Sequence, residues 1–396
     1  MNRTAYIVSV KYAAGSNKEF VMFGDNLWQR GFNVRYILSE LYKNLGWHRD
    51  DSDYITTSDG IKSVILDTIK YFDGKSFLNI FSSYAPKFLL FYNAHPLNIF
   101  IARLVKKKFP DAVIALYLHE PYKPDKAPYG VLKGIYIYLV EFIQGLTLRY
   151  MDYVISPSEY SSLLFKRKYP NYKRQNFITP LLIPDQKKSS PDARRFFSMV
   201  GTANKATGHD TFIELVNYVG EKGLDFEFAL ISSSNVSGFT RNLTEEGKKR
   251  LKVINKNSIT DTEINEIIRQ SWAVFRLDKE VTQSGVLPVA YMNETPVIAR
   301  DIQGLTQHVR HGENGYIVPF DCKPESLVEA MSHVMKNFFY LSKNARRSYE
   351  ETWAEKNFDK YYSTLIGELL VPEKRRLQLL SGSWKYHHKI NKKHDS

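Results

Sequence analysis

The chain has 396 residues, of which 43% are hydrophobic and 24% are charged, and its formal net charge is +13. These values describe a globular protein, and no run of 18 apolar residues predicts a membrane-spanning helix. The single cysteine, Cys322, excludes an internal disulfide and a zinc site built from several cysteines. The N-terminus lacks the basic and apolar segments of a secretion signal, so we expect a cytoplasmic protein.

The first half of the chain alternates short apolar strands with helical patterns. Phe20, Phe23, Leu27 and Trp28 recur at helical spacing in the first helix, and Gly31 suits its C-terminal end. Strands are predicted at AYIVSV, NVRYILS, FLLFYN, AVIALYLHE and DYVISPS, with helices at KEFVMFGDNLWQRG, PLNIFIARLVKKKF and VLKGIYIYLVEFIQGLTLRYM. This alternation predicts a parallel sheet with helices on both faces.

The pattern restarts after PLLIPDQKKSSPDARR, a segment rich in proline, serine and charge that predicts a linker. Strands are then predicted at FFSMVG, FEFALISSS, WAVFRL and PVIARD, with helices at HDTFIELVNYVGEKG, TDTEINEIIRQS, GVLPVAYMNE and KPESLVEAMSHVMKNFFYL, and a helix leading into a strand at TEEGKKRLKVI. The predicted organisation is a first α/β domain at 1–184, a linker at 185–195, a second α/β domain at 196–344, a helix at 345–370 that crosses back to the first domain, and a basic tail at 371–396.

Two doubly wound α/β domains, each built on a parallel sheet, bind ligands beyond the carboxyl ends of their strands, so we expect the site in the cleft between them. Thr282, Gln283, Ser284 and Gly285 stand between the strand WAVFRL and the following helix. Free backbone N–H groups, a glycine and hydroxyl donors at a helix start predict a diphosphate site. The alternative is that Ser284 only caps the helix.

Two more glycine loops are present, one after the first strand of each domain. In MVGTANKATGHD, Gly201 ends a strand and Lys205 is placed to reach a phosphate, although the glycine spacing fits neither a Walker nor a dinucleotide motif. In YAAGSNK, Gly15 and Ser16 are expected to face the same cleft from the first domain. Two phosphate-compatible loops on one sheet edge support each other.

The strand LYLHEP ends in His119 and Glu120, a pair suited to hydrogen bonding hydroxyls or to proton transfer. The alternative is a structural histidine, and His95 in YNAHP is a weaker case of the same kind. Neither has a third metal ligand nearby, so we expect no metal. The chain has no Gly-x-Ser-x-Gly elbow and Cys322 has no apparent base, which disfavours a nucleophilic hydrolase.

The stretch TQSGVLPVAYMNETPVIARDIQGLTQHVRHGENGYIVP resembles the signature region of glycosyltransferase family 4, within glycosyl transferases group 1 of the GT-B superfamily. MVGTANKATGHDTFIELVNYV, LYLHEPY and DYVISPSEYSSLLF look like other parts of that family. The resemblance extends from about residue 6 to residue 370. The residues that match in the signature region are Pro296, Val297, Ile298, Ala299, Gly304, Gly312, Asn314, Gly315, Ile317 and Val318.

The chain also departs from the family pattern. The two glutamates of many members fall on Val281 and Val289, with Glu280 next to the first, and Gln-Ser-Gly before the helix is similar to a subgroup that lacks the pair. The acid of the family's Gly-Gly-x-x-Glu turn is Gln307. The usual arginine and lysine of the first glycine loop are Thr202 and Thr207.

The resemblance implies a GT-B fold and transfer of a sugar from a nucleotide-sugar to an acceptor hydroxyl, with retention, without a metal and without a cofactor. Donor binding is expected at Gly201, Thr202, Lys205, Glu280, Thr282, Gln283, Ser284 and Gly285. His119 and Glu120 would face the reacting sugar or the acceptor, a polysaccharide or lipid-linked glycan. The alternative is a catalytically silent protein of this fold that binds a glycan or a partner enzyme.

The positive charge is concentrated at 106–108, at 374–376 and in the tail KYHHKINKKHDS. These clusters indicate either a solvated face with a loose tail or a peripheral contact with anionic lipid at the inner face of the membrane. The apolar segment 129–153 is either a core helix or part of that contact. Nucleic-acid binding depends on charge alone, and no recognised motif supports it.

Overall fold

The computed structural model describes residues 3–10, 17–44, 47–57, 66–67, 69–71, 75–122, 131–188 and 193–370. Two predictions concern other parts of the chain: Gly15 and Ser16, expected in the cleft, and the basic tail at 371–396 lie outside the described residues. The backbone of Lys205 is described, but its side chain is not.

The first domain is a parallel sheet with helices on both faces. Its described strands are β1 (Thr4–Ser9), β2 (Asn33–Ser39), β3 (Ser52–Ile55), β4 (Pro86–Phe91), β5 (Val113–Tyr117), β6 (Tyr153–Ser156) and β7 (Gln175–Ile178). They form a sheet of order β3-β2-β1-β4-β5-β6-β7, and each neighbouring pair is parallel. The helices are α1 (Asn17–Gln29), α2 (Glu40–Asn44), α3 (Lys75–Ser83), α4 (Leu97–Lys108), α5 (Val131–Thr147) and α6 (Glu159–Lys168).

The second domain repeats this plan. Its described strands are β8 (Phe196–Val200), β9 (Glu227–Ser232), β10 (Leu251–Asn255), β11 (Ser271–Arg276), β12 (Val297–Arg300) and β13 (Gly315–Val318), and they pair in parallel in the order β10-β9-β8-β11-β12-β13. Its helices are α7 (His209–Glu221), α8 (Ser237–Thr240), α9 (Glu245–Arg250), α10 (Asp261–Arg269), α11 (Val286–Met292), α12 (Gln303–Thr306), α13 (Pro324–Lys336) and α14 (Phe338–Thr352), and the last helix of the chain is α15 (Phe358–Leu370).

Each sheet separates two hydrophobic cores, as a strand that is buried on both faces requires. In β1, Ala5 and Ile7 contribute to one core, whereas Tyr6 and Val8 contribute to the other. The two cores of the second domain lie on the two faces of its sheet in the same way. The structure therefore confirms the predicted fold class of two parallel-sheet α/β domains.

In helix α1, the helical spacing of apolar residues predicted burial correctly for most of these residues but not for all. Phe20, Phe23 and Leu27 are buried as their spacing predicts, but the side chain of Trp28 is 70% exposed. Gly31 has φ of 82°, so it ends the helix in the left-handed conformation that glycine adopts most easily.

The C-terminal segment 345–370 is not the single helix that its aromatic residues predicted. Helix α14 starts earlier, at Phe338, and ends at Thr352, and α15 begins after a short 3-10 turn. Between the two helices, Ala354 adopts an extended conformation and forms a parallel bridge with Ile183. This break lets α15 place Phe358 and Tyr362 in a core of the first domain.

Several short elements were not predicted, namely α2, β3, α3, α6, β7, α8, α12 and β13. They are brief or carry polar residues on both faces, so their periodicity is weak. No helix among the described residues is long and apolar enough to cross a bilayer.

Candidate functional site

The order of strands reverses in the second sheet between β8 and β11, because the chain leaves these two neighbours in opposite directions. Helical connections leave such a switch point open, so the loops that follow the two strands form a crevice. Gly201 follows β8, and the segment 277–285 follows β11. The tertiary structure thus brings together two loops that are about 80 residues apart in sequence.

These loops line one wall of a cavity of about 480 Å³ between the domains. The polar and glycine residues that line it from the second domain are Gly201, Thr202, Thr207, Asp261, Asn265, Arg276, Gln283, Ser284 and Gly285. Glu19, Asn93 and His119 line it from the first domain. The predicted cleft therefore exists, and five of the predicted donor-binding residues line it.

The two predicted glycines of the cleft serve different purposes. Gly201 has φ of 117°, a conformation that other residues adopt only with strain. Its missing side chain would lie 3.6 Å from Val286 Cγ2 and 3.7 Å from Arg276 Nη1. Gly285, in contrast, has helical angles, and a Cβ there would meet no atom within 4 Å. Gly201 is thus needed by the backbone, and Gly285 leaves open space beside the cavity.

Ser284 does not cap the helix that follows it, so the alternative of a simple N-cap is wrong. Helix α11 starts after Gly285 and has no side-chain cap. Ser284 is buried, and its Oγ has no hydrogen-bond partner among the described residues. Because a buried hydroxyl without a partner is costly, an unsatisfied donor on a cavity wall indicates a ligand. The helix has only seven residues, so its dipole adds little.

Sequence reasoning missed the most informative side chain of the cavity, Arg276. It is the last residue of β11, only 9% exposed, and it lines the cavity. Its Nη2 donates to Asp278 Oδ1 over 2.8 Å and its Nη1 donates to the Val200 carbonyl over 3.3 Å. The available signal was the charged pair at the end of the apolar strand in WAVFRLD.

Arg276 interacts with other buried titratable groups. Burial raises the pKa of Asp278 above its usual value, and the guanidinium groups of Arg276 and Arg300 offset this only in part. Burial, together with Arg276, lowers the pKa of the neighbouring His209 to about 4, so this imidazole is neutral at pH 7. Asp278 is paired with Arg276 and is also within the electrostatic reach of Arg300, so an anionic ligand at the cavity wall would further stabilise the guanidinium of Arg276.

The first-domain wall carries two titratable groups with shifted pKa values. Burial lowers the pKa of His119 to about 4, against the smaller opposing effects of Glu120 and a hydrogen bond with the Tyr92 backbone. Its Nε2 has no partner among the described residues. Burial raises the pKa of Glu19 to about 8, partly offset by its hydrogen bond from the Tyr92 hydroxyl. At pH 7 both groups are mainly neutral, and Glu19 was not predicted.

Other predicted residues do not line the cavity. Glu120 is exposed on the surface beside His119. Glu280 lies near Tyr160, whose pKa it helps to raise. His95 accepts a hydrogen bond from the Leu97 N–H at the start of α4, as the structural alternative for this histidine predicted.

Thr282 connects the two domains instead of lining the cavity. Its hydroxyl donates to the His119 carbonyl over 3.1 Å, and its own carbonyl accepts from Ser158 Oγ over 3.1 Å. The Gln307 amide, which stands where the family turn has an acid, donates to the Thr282 carbonyl over 3.0 Å and accepts from the Tyr160 N–H over 3.2 Å. An amide is suited to this position because it can donate and accept at once.

The described residues contain no group of three or more histidine, cysteine, aspartate or glutamate side chains placed to hold a metal ion. The charged group that lines the cavity from the second sheet is instead the guanidinium of Arg276.

Solved structures share this architecture over most of the chain. Sucrose-phosphate synthase from Thermosynechococcus elongatus matches with a TM-score of 0.72 and 14% identity, over 92% of this chain and 100% of that one. A glycosyltransferase from Rickettsia africae gives 0.67 and 14%, over 92% and 99%. Anabaena HepE in complex with UDP-glucose gives 0.70 and 11%, over 92% and 99%. The protein therefore has the GT-B fold of these enzymes, with two parallel-sheet α/β domains on either side of a cleft.

The sequence of the second domain also matches a protein family, which is more specific than a shared fold. Residues 184–352 match the family model described as Glycosyl transferases group 1. This range includes both loops of the switch point, and the predicted resemblance to group 1 is confirmed over it. A comparison with curated proteins finds no match.

Proposed function

We propose that the protein transfers a sugar from a nucleotide-sugar donor to the hydroxyl of an acceptor. The observation that carries this proposal is the combination of Gly201, Ser284 and Arg276 in one interdomain cavity. A backbone that approaches closely, a buried hydroxyl without a partner and a guanidinium charge together suit a diphosphate. The second-domain match to group 1 and the UDP-glucose complex of HepE support a nucleotide-sugar as the ligand.

The rest of the second-domain wall suits the nucleoside. The apolar side chains of Ile264, Ile268, Val286, Val289 and Met292 line the cavity. Val289 occupies the position at which many members of glycosyltransferase family 4, which the sequence resembles, have the second glutamate of their pair. An apolar surface of this kind would hold the base, while Arg276 and Ser284 face the diphosphate.

The chemistry follows from where charge develops. As the bond between sugar and diphosphate breaks, negative charge grows on the phosphate oxygens, and Arg276 would stabilise it within the interdomain cavity. A neutral His119 at the opposite wall can accept a hydrogen bond from a sugar or acceptor hydroxyl through Nε2. Closure of the two domains would limit attack by water.

The finer features are part of the same proposal. We expect transfer with retention of the anomeric configuration and without a metal, since a guanidinium takes the role that a cation has beside a diphosphate. The acceptor would be a polysaccharide or a lipid-linked glycan. Metal independence requires that a chelator leave the rate of transfer unchanged. Retention requires a product of the same anomeric form as the donor.

Calorimetric titration with nucleoside diphosphates and with the corresponding nucleosides tests the donor site. We expect the protein to bind at least one nucleoside diphosphate. Arg276→Gln should weaken that binding about 10- to 100-fold, because a charge-assisted hydrogen bond contributes about 1.5–3 kcal/mol. Binding of the nucleoside alone should change little. Arg195→Gln, which removes an exposed arginine paired with Glu227, is the matched control.

Two outcomes would oppose the proposal. If no nucleoside diphosphate binds, the proposed function is wrong. If Arg276→Gln binds the nucleoside diphosphate as tightly as the parent does, the assignment of the donor site to Arg276 is wrong. Binding without donor hydrolysis or transfer to any glycan acceptor would instead favour the alternative of a catalytically silent glycan- or partner-binding protein, which the absent glutamate pair suggests.

A further inference from the structure

Helix α5 exposes apolar side chains on the face where a surface helix normally carries polar ones. Five of its apolar side chains face outward, and the exposed fractions are 80% for Val131, 62% for Ile135, 61% for Tyr138, 47% for Leu139 and 65% for Phe142. The spacing of these residues places them on one face of the helix. A water-exposed face would normally carry the polar residues, so this apolar stripe calls for a partner.

Three polar residues of α5 whose side chains the structure describes face the protein. Glu141, Gln144 and Thr147 are between 3% and 6% exposed. Two of them bond to other parts of the first domain: Glu141 pairs with Lys168 over 2.9 Å, and Gln144 Nε2 donates to the Pro121 carbonyl over 2.8 Å. Because these bonds fix the rotation of the helix, its apolar face points away from the domain. The prediction that segment 129–153 is a core helix is therefore correct for only one side of it.

A basic groove lies at the C-terminal end of α5. It has a volume of about 540 Å³ and is lined by Arg149, Lys168, Lys173 and Arg174 together with Tyr169 and Tyr172. Arg149, Lys173 and Arg174 are exposed, and the nearest acid to Arg174 is Asp152 at 3.5 Å. A row of apolar side chains that leads to a cluster of cations complements a surface with an apolar interior and anionic headgroups.

The position of α5 connects this surface to the cleft. In a parallel sheet the helix after a strand starts at the edge where the strand ends. Strand β5 ends at Tyr117 and His119 lines the cavity, so Val131, the first residue of α5, is on the cleft side of the domain. The basic groove is at the far end of the helix. A surface that contacted the whole of α5 would thus lie beside the mouth of the cleft.

We propose that α5 and its basic groove bind the surface of an anionic phospholipid bilayer, with the apolar stripe in the headgroup layer and the groove on the lipid phosphates. This surface would present a lipid-linked acceptor to the cleft, and in that respect the inference rests on the proposed function. Lys106, in the basic run singled out from the sequence, is instead paired with Asp152 and bonded to the Ala112 carbonyl.

Vesicle flotation of the full chain tests this inference. We expect binding to vesicles of phosphatidylcholine mixed with phosphatidylglycerol to be about tenfold or more stronger than binding to phosphatidylcholine alone, and to weaken with salt. The double variant Ile135→Ser/Phe142→Ser should lower binding about tenfold or more. Lys173→Glu/Arg174→Glu should remove the preference for the anionic vesicles. All four side chains are exposed, but Arg174 also donates to the Met151 carbonyl and pairs with Asp152, so urea denaturation must show that this variant keeps its fold.

Phe339→Ser is the matched control, because Phe339 is 90% exposed but belongs to the second domain. The inference is overturned if the α5 variants bind vesicles like the parent, if Phe339→Ser is the variant that loses binding, or if neither vesicle binds. A dimer in sedimentation that only the α5 variants dissociate would show that this face binds a second copy instead. Nucleoside diphosphate affinity should be the same in all variants, so a failure of the donor site would be seen separately.

Discussion

The hydroxyl of Thr282 donates a 3.1 Å hydrogen bond to the backbone carbonyl of His119. This bond joins the loop after β11, which carries Ser284, to the end of β5 in the first domain. Because the Thr282 carbonyl also accepts from Ser158 and Gln307, the first domain fixes where the loop lies. The width of the cleft therefore depends on bonds of Thr282, Ser158 and Gln307, none of which lines the cavity.

Gln307→Glu should destabilise this junction. The Gln307 amide donates to the carbonyls of Thr282 and Gly304, each over 3.0 Å, and a carboxylate would place negative charge against both of them. We expect the free energy of unfolding to fall by about 1–3 kcal/mol, the cost of partly buried groups that lose their partner. Urea denaturation measures it. Gln303→Glu, on the exposed side of the same short helix, should change it little, and equal losses in both variants would contradict this account.

Ser284→Ala should separate ligand binding from stability. Since Ser284 Oγ has no hydrogen-bond partner in the described part of the chain, its loss should leave the free energy of unfolding unchanged or slightly higher. The affinity for a nucleoside diphosphate should fall about 3- to 10-fold. The comparison is Ser158→Ala, which removes a true N-cap of α6 and should cost about 1 kcal/mol of stability. A Ser284→Ala variant that loses stability but keeps its affinity would show a structural role.

The two glycines should respond differently to alanine. Gly201→Ala forces a side chain into φ of 117° and should cost at least about 1–2 kcal/mol. Gly285→Ala has helical angles and open space around the new Cβ, so its stability should not fall. If Gly285 allows a ligand to approach the backbone, only ligand affinity should drop. Thermal unfolding with and without nucleoside diphosphate measures both effects, and equal stability losses would refute the assignment.

The buried His209 should make the protein less stable in mild acid. Burial and Arg276 hold its folded pKa at about 4, below the value of about 6.5 in an unfolded chain. Above about pH 6.5 the group is neutral in both states and contributes no pH dependence. Between these pKa values only the unfolded chain binds the proton. The free energy of unfolding therefore decreases as the pH is lowered, by up to about 1.4 kcal/mol per pH unit.

Urea denaturation at several pH values between 7 and 5 checks this behaviour, and His209→Gln should reduce the slope. Glu19 has the opposite sign: its folded pKa is raised to about 8, so its contribution is lost as pH rises from about 4.5 to 8. Comparing His209→Gln with the parent isolates the histidine. A slope that the substitution leaves unchanged would rule out the assignment.

Much of the fold could be predicted from the sequence because buried parallel strands are continuous apolar runs between turn residues. Strand β2 was predicted at its observed bounds, and the segment TEEGKKRLKVI was correctly predicted as a helix that leads into a strand. Short polar elements such as β7 gave too weak a pattern. The segment 345–370 was predicted as one helix because periodicity does not record the bridge between Ile183 and Ala354.

The candidate site was predictable only where local sequence constrains the backbone. Gly201, Ser284 and Gly285 stood out because glycine and hydroxyl residues at the end of an apolar strand are not needed to fill a core, although capping of the helix was an alternative for Ser284. Thr282 stood out for the same reason, yet its hydroxyl turns to the first domain. Nothing in the sequence separated these two outcomes, because they depend on how the domains meet.

The sequence by itself determined two α/β domains with glycine loops at the ends of their strands, because strand and helix periods and backbone φ limits act over a few residues. Only the tertiary structure decided that Arg276 and Gly201 share one wall, that Glu19 and His119 are neutral in the cleft, and that the apolar side of α5 faces outward. Strand order, desolvation and helix rotation depend on contacts between residues far apart in the chain, and no local pattern records them.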